Sequence, residues 1–206
     1  MTSSEPPPEI LLCDTTPLRY FALVERLDLL AKSLDGKIRT PREVFDPGED
    51  PNGPDALLSE IGRSERYWLK RSKRGEATRN YSRLHAMRFR TDIEVVDLDS
   101  AENQDAAQMQ TPRFAKEAGL RDKLGKGEAA VIAVACARGW SVVMDDKDGR
   151  KALAFKRPQS TAWTTQELVR RAIAADFIGS PEAVAIYDSM LGEGYIGPRS
   201  LWDREV

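Results

Sequence analysis

The chain has 206 residues, 31% of them charged, with a net charge of −2. That length suits one domain with an appendage and is enough to bury a sizeable core, while the near-cancelled charge says nothing about a partner. No window approaches the roughly 20 apolar residues of a membrane span. The first ten residues, MTSSEPPPEI, lack a basic start and an apolar signal core and are expected to be a short flexible lead. Residues 10–13, ILLC, predict a buried strand ending at Asp14. Asp14-Thr15-Thr16-Pro17 predicts a helix start, with a capping residue and a proline in the first turn. Leu18, Phe21, Ala22 and Leu23 continue that helix. Leu27, Leu29, Leu30 and Leu34 predict a second, closed by Gly36. Lys37 to Thr40 is expected as a brief strand, and Pro41 as the opening of another short helix. The Pro, Gly, Asp and Asn of residues 48–53 predict a loop.

Residues 61–90 follow with ten Lys/Arg and two acids, a local net of +8, interleaved with Tyr67, Trp68, Tyr81 and Phe89. Residues 92–105 then carry six acids and no base. So sharp an asymmetry is strong enough to matter, and sets residues 48–91 apart as a basic, helical stretch. It has three readings. Cations on phosphates and aromatics under bases would make an RNA-gripping arm, with Arg71, Lys73 and Arg74 as its contacts. An acidic protein partner is the second. A solvated helical hairpin is the third. His85 reads as an ordinary helix residue.

Ile93 to Leu98 predicts a strand, and the polar stretch Asn103 to Gln110 a loop. Residues 126–138, KGEAAVIAVACAR, predict a helix ended by Gly139, and Trp140 to Met144 the next strand. A helix over Asp148 to Phe155, a last strand over Ser160 to Trp163, and helices over Thr165 to Ala175 and Pro181 to Leu191 complete the chain. Strand, helix, strand in prompt succession implies an α/β fold with a mainly parallel sheet. Cys13 and Cys136 sit in apolar runs and read as buried free thiols in a reducing cytoplasm; one histidine and no cysteine cluster argue against a zinc site.

Asp14 directly follows one predicted strand, and Asp145-Asp146 directly follow another. Ligands of parallel sheets bind outside the carboxyl ends of the strands. Glu128 opens the helix that feeds the second strand. Carboxylates gathered there repel one another, and a hard divalent cation resolves the repulsion. Mg²⁺ or Mn²⁺ in such a site assists hydrolysis of phosphodiesters. Each acid also has a simpler role: Asp14 as a helix cap, Asp145-Asp146 as a solvated turn, Glu128 as a favourable charge at a helix start.

The segments ILLCDTTPLRYFALVERLDLLAKSLDGKIRTPREVF and GKGEAAVIAVACARGWSVVMDDKDGRKAL, with TTQELVRRAIAADFI through Tyr195, resemble PIN-domain nucleases, a family of prokaryotic toxin-like proteins. The likeness covers residues 9–47 and 92–202. It implies a PIN-like three-layer α/β/α domain over residues 1–206, with the basic insertion inside it. The implied activity is that of a Mg²⁺- or Mn²⁺-dependent endoribonuclease, the toxin of a toxin–antitoxin pair. RNA, an antitoxin and a homodimer are the implied partners, without a membrane. Carried over by position, Asp14, Glu128 and Asp146 are metal-site acids with Asp145 beside them, and Thr15 or Thr16 orients Asp14. The remaining family acid lies three residues after the Val of P-x-x-V, where this chain has Pro47; Asp46 is the nearest substitute, and Glu43 another. Two alternatives stay open: a catalytically silent scaffold that binds RNA or protein, and a phosphohydrolase of the haloacid dehalogenase type. The latter needs an acid at Thr16.

Overall fold

A computed structural model describes residues 10–46, 59–71 and 76–203. Pro47, the 48–53 loop, Lys73 and Arg74 lie outside the described residues. Five parallel strands form one sheet: β1 (Leu11–Cys13), β2 (Ile38–Pro41), β3 (Ile93–Val96), β4 (Ser141–Val143) and β5 (Ala162–Trp163), in the order β3-β2-β1-β4-β5. Central β1 is buried throughout, which is why its residues are all apolar.

The first helices are α1 (Thr15–Leu23) and α2 (Leu27–Ser33). The chain leaves α2 through Gly36, whose φ of 83° is left-handed and suits a residue without Cβ. Two basic helices packed on each other follow, α3 (Glu60–Arg71) and α4 (Glu76–Ala86), then a 3-10 turn, Met87–Phe89. They pack against α1, and Ile61, Leu84 and Met87 join the same buried apolar cluster as the sheet. The second half carries α5 (Ser100–Met109), α6 (Pro112–Glu117), α7 (Lys126–Arg138), α8 (Lys147–Lys156), α9 (Thr165–Ala174) and α10 (Ser180–Gly192). Helix α7 is apolar nearly all round because it is covered on every side: it lies on β1, β2 and β4, with α5 and α8 beside it. Helices α1, α2, α9 and α10 pack on one another as the other layer.

Two expectations need correction, and one helix was not foreseen. Residues 103–109 belong to helix α5, with Gln110 as its C-cap, and not to a loop. Asp99 and Glu102 form a reciprocal capping box, and Ala106 and Met109 supply a buried face. The other positions face solvent, which gives the stretch its polar composition. Pro41 closes β2 and opens no helix. The Arg42 N–H still reaches Val96 O in the ladder at 3.3 Å, so only one turn follows, with Val44 and Phe45 N–H both on Pro41 O. Helix α6 had no expectation; it is capped by Thr111 and held by Phe114 and Ala115.

Candidate active site at the carboxyl edge of the sheet

From β1 the chain winds outward through β2 and β3, then returns to build β4 and β5 on the other side of β1. The helices on either side of that reversal diverge and leave a crevice beyond the carboxyl ends of β1 and β4. The register pairs Cys13 with Val143, so Asp14 and Asp145-Asp146 leave the sheet at one place. The Asp14 N–H donates to Val143 O at 3.0 Å.

Asp14 is 2% exposed. It occupies the N-cap position of α1, but its side chain makes no cap hydrogen bond, so capping does not account for the carboxylate. Its Oδ1 is buried without any partner. Burial pushes its carboxyl well above the usual range, the Glu60 charge adds to that, a Thr15 backbone bond opposes it, and Glu128 and Asp145 add more.

Glu60 is the acid that the sequence analysis missed. Its Oε2 accepts from the Thr15 hydroxyl, its Oε1 accepts from the Gly127 N–H at 3.1 Å, and Arg63 Nη2 lies 3.6 Å away. A Cβ on Gly127 would lie 2.7 Å from Glu60 Cδ, so only glycine leaves room for this seat. Helix α3 is tied to the exit of β2 by Glu60 N–H to Glu43 O at 2.9 Å and Ile61 N–H to Val44 O at 3.0 Å. The sequence signal was an acid in the first turn of a helix, which alone reads as a favourable end charge.

Glu128, in the first turn of α7, accepts from the Gly125 N–H at 2.8 Å. Burial pushes its carboxyl up, and Asp146, Glu60 and Asp148 add to the shift against the Gly125 bond. Asp145 is fixed by three donors: Thr165 N–H at 2.9 Å and Tyr195 O–H at 2.7 Å on Oδ1, and the Thr165 hydroxyl at 2.6 Å on Oδ2. A carboxylate has about four lone-pair sites, so Oδ2 keeps one. Burial raises its carboxyl against those bonds. Asp146 caps α8, accepting from the Gly149 N–H at 2.9 Å. Asp148 takes the Arg121 N–H and Nε, each at 3.2 Å.

Thr15 serves Glu60 through its hydroxyl, and Thr16 lines a cavity of about 1060 Å³ bordered by Asp145, Asp146, Lys147 and Lys151. Asp46 is turned to Arg42 Nη1 at 3.0 Å, and Glu43 Oε2 is buried without a partner. Burial raises the Cys13 thiol, which leaves no thiolate nucleophile there. Much of the basic run is taken up in ion pairs. Arg83 meets Glu25 and Glu193, Arg79 meets Glu193, Arg88 meets Glu65, and Arg90 meets Asp92. His85 stacks on Tyr81 with ring centroids 5.3 Å apart. Arg71 lies over the Tyr67 ring at 4.2 Å.

The donor set is all carboxylate oxygen, and one of those oxygens is buried and unpaired, which suits a hard divalent cation. Each of the other acids accepts from at least one protein donor, and among the described residues no three side chains are gathered as ready ligands for one ion. No helix among the described residues is long and apolar enough to cross a membrane.

The strand order and the two helical layers define an α/β protein of three-layer α/β/α type. No protein-family model matches the chain, and no curated protein does. Among solved structures, 75% of the chain matches 97% of a chain in the crystal structure of VapBC2 from Rickettsia felis bound to a DNA fragment from their promoter, at 18% sequence identity and a TM-score of 0.41. So slight a likeness carries no residue correspondence.

Proposed function

We propose that the protein is a PIN-like, metal-dependent ribonuclease that hydrolyses RNA phosphodiesters, and that it is the toxin of a toxin–antitoxin pair. One observation carries the nuclease reading: the buried, unpaired Asp14 Oδ1 in the switch-point crevice, with the charges of Glu60, Glu128 and Asp145 bearing on it. The toxin assignment rests on the sequence resemblance.

Asp14, Glu60, Glu128 and Asp145, through its remaining Oδ2 lone pair, would hold Mg²⁺ or Mn²⁺, with Asp146 beside them. A bound divalent cation there supplies Lewis-acid polarisation of a phosphodiester and a more acidic water. The protein's own groups do the positioning. Thr15 and Gly127 hold Glu60, Thr165 and Tyr195 hold Asp145, and the Gly125 N–H draws Glu128 back to the helix start. Glu60 takes the place that the sequence analysis gave to Asp46.

Single-stranded RNA incubated with Mn²⁺ or Mg²⁺ tests this. We expect cleavage by the wild type, abolished by chelator and reduced at least about 10²-fold in Asp14→Asn and in Glu60→Gln. Equal turnover in Asp14→Asn would overturn the reading. The silent scaffold has its own support in the engagement of the other acids by protein donors and in the absence, among the described residues, of three gathered ligands. Retained RNA binding with no cleavage under either metal would select it.

A further inference from the structure

We propose that the cavity of about 570 Å³ beside Glu60 seats one nucleotide of a single-stranded RNA, with its base stacked on Trp68 and Tyr67 and its phosphate held by Arg19 and Arg63. This rests on the nuclease reading above and gives the basic hairpin a place in it.

Helix α3 forms one wall. Glu60, Arg63, Ser64, Tyr67 and Trp68 recur at the spacing of one helical face, and all five line the cavity. A rise of 1.5 Å per residue sets Trp68 about 12 Å along the helix from Glu60. The wall therefore runs from the acid cluster through a cation and a hydroxyl to two aromatics. Helix α1 supplies the facing wall with Arg19 and Tyr20. The space falls within the roughly 300–1,000 Å³ of small-ligand sites.

The two aromatics are presented differently. Trp68 is half-buried and packs against the core, which fixes its ring. Tyr67 is 47% exposed and meets Trp68 edge-on, with centroids 5.2 Å apart. Arg71 covers one face of Tyr67 at 4.2 Å; the remaining exposed aromatic surface, beside a fixed ring, suits a base. The cations are available too. Arg19 Nε is buried without a partner, and its Nη2 donates to the Tyr20 hydroxyl at 2.9 Å. Among the described residues no carboxylate pairs with Arg19. Arg63 is exposed, and its ion-pair approach among the described residues is to Glu60 at 3.6 Å. Arg19 also borders the larger cavity, so the two share it. The Arg19 guanidinium lies over the Tyr20 ring at 4.6 Å and still has its Nε without a partner; with no carboxylate on it among the described residues, it suits a phosphate beside a stacking shelf. A duplex keeps its bases stacked on each other and could not offer one to this groove, which argues for a single strand.

The test measures binding apart from cleavage. An Asp14→Asn protein in chelator is titrated with a fluorescent single-stranded RNA of about eight nucleotides. Tyr67→Ala and Trp68→Leu should each weaken binding roughly 5- to 150-fold. Trp68→Phe keeps an aromatic face; it should change affinity little and remove RNA-induced quenching of tryptophan emission. Arg19→Gln and Arg63→Gln should each reduce the salt slope by about 0.7. Trp68→Leu also disturbs core packing, so the surface changes Tyr67→Ala and Arg63→Gln decide the matter if it fails to fold. Unchanged affinity and salt slope in both would overturn the subsite. Equal binding of DNA of the same sequence would overturn the choice of RNA, as would displacement of the RNA by an acidic peptide. If binding follows these variants while the wild type with Mn²⁺ leaves RNA intact, the nuclease reading falls and the subsite stands.

Discussion

Two adjacent aspartates, Asp145 and Asp146, meet opposite demands. Asp145 accepts three hydrogen bonds and locks α9 and the Tyr195 segment onto the end of β4. Asp146 is partly exposed and makes a helix cap. Asp145→Ala should therefore cost about 2–4 kcal/mol, because it leaves the Thr165 N–H and the Tyr195 hydroxyl unpaired in a buried place. Asp146→Asn keeps a good capping side chain and should leave stability within about 0.5 kcal/mol. Thermal melts check both. If Asp146→Asn also loses turnover at unchanged melting temperature, its charge belongs to the reacting site; full turnover would leave that role to Asp145. The Asp-Asp pair was legible in the sequence because it ends an apolar run. The division of labour was not, since it depends on Thr165 and Tyr195, which lie 20 and 50 residues away. Glu60 was less legible still. Twelve undescribed residues, 47–58, separate it from the β2 segment whose exit it completes.

At the scale of elements, the helix starts are where sequence and site meet. Gly127 in the first turn of α7 admits the Glu60 carboxylate. Gly127→Ala gains helix propensity, up to about 1 kcal/mol, which offsets hydrogen bonds lost by Glu60, so stability should change by no more than about 1–2 kcal/mol. The added methyl must displace Glu60, and a displaced reacting group costs on the order of 10²-fold in turnover. Unreduced turnover in that variant would show that Glu60 is not needed where it sits. Helix α5 teaches the converse lesson. Its polar composition hid a helix whose cap and core face are Asp99, Glu102, Ala106 and Met109. Glu102 is also bonded through both oxygens to Arg138 of α7, at 2.7 and 2.8 Å. The Arg138 hydrogen bond holds the Glu102 carboxyl below its usual range against the effect of burial. A depressed acid contributes stability above its unfolded-state value of about 4.3, and that contribution is lost as pH falls through the lower folded-state value. Glu102→Gln should therefore destabilise by about 1–3 kcal/mol at pH 7. The gap from wild type should close as pH drops below about 4. A gap that stays constant across that interval would assign the loss to packing.

For the whole molecule, the strand order does most of the work. Five parallel strands that reverse direction of growth at β1 put the ends of β1 and β4 side by side, and no other pair of strand ends joins two halves of the chain in this way. Sequence periodicity could predict a parallel sheet, because strands and helices alternate. It could predict that Asp14 and Asp145 share an edge only by assuming that β1 and β4 are neighbours. The consequence is an acidic crevice that folding must close against its own repulsion. Asp14 bears the largest share, being 2% exposed and near the charges of Glu60, Glu128 and Asp145. Without divalent cation, Asp14→Asn should raise the melting temperature, since it removes a desolvated charge from that cluster. With Mn²⁺ at about 100 times its dissociation constant, the wild type should gain about 2.7 kcal/mol. For a chain of this length that is a rise of about 5–11 °C. Asp14→Asn should lose most of that rise while keeping its higher starting point. Calorimetry of both proteins, with and without the metal, checks the pair of shifts. An equal Mn²⁺ response in the two would place the cation away from Asp14. A lower metal-free melting temperature in Asp14→Asn would mean that the carboxylate stabilises the crevice and is not waiting for a partner.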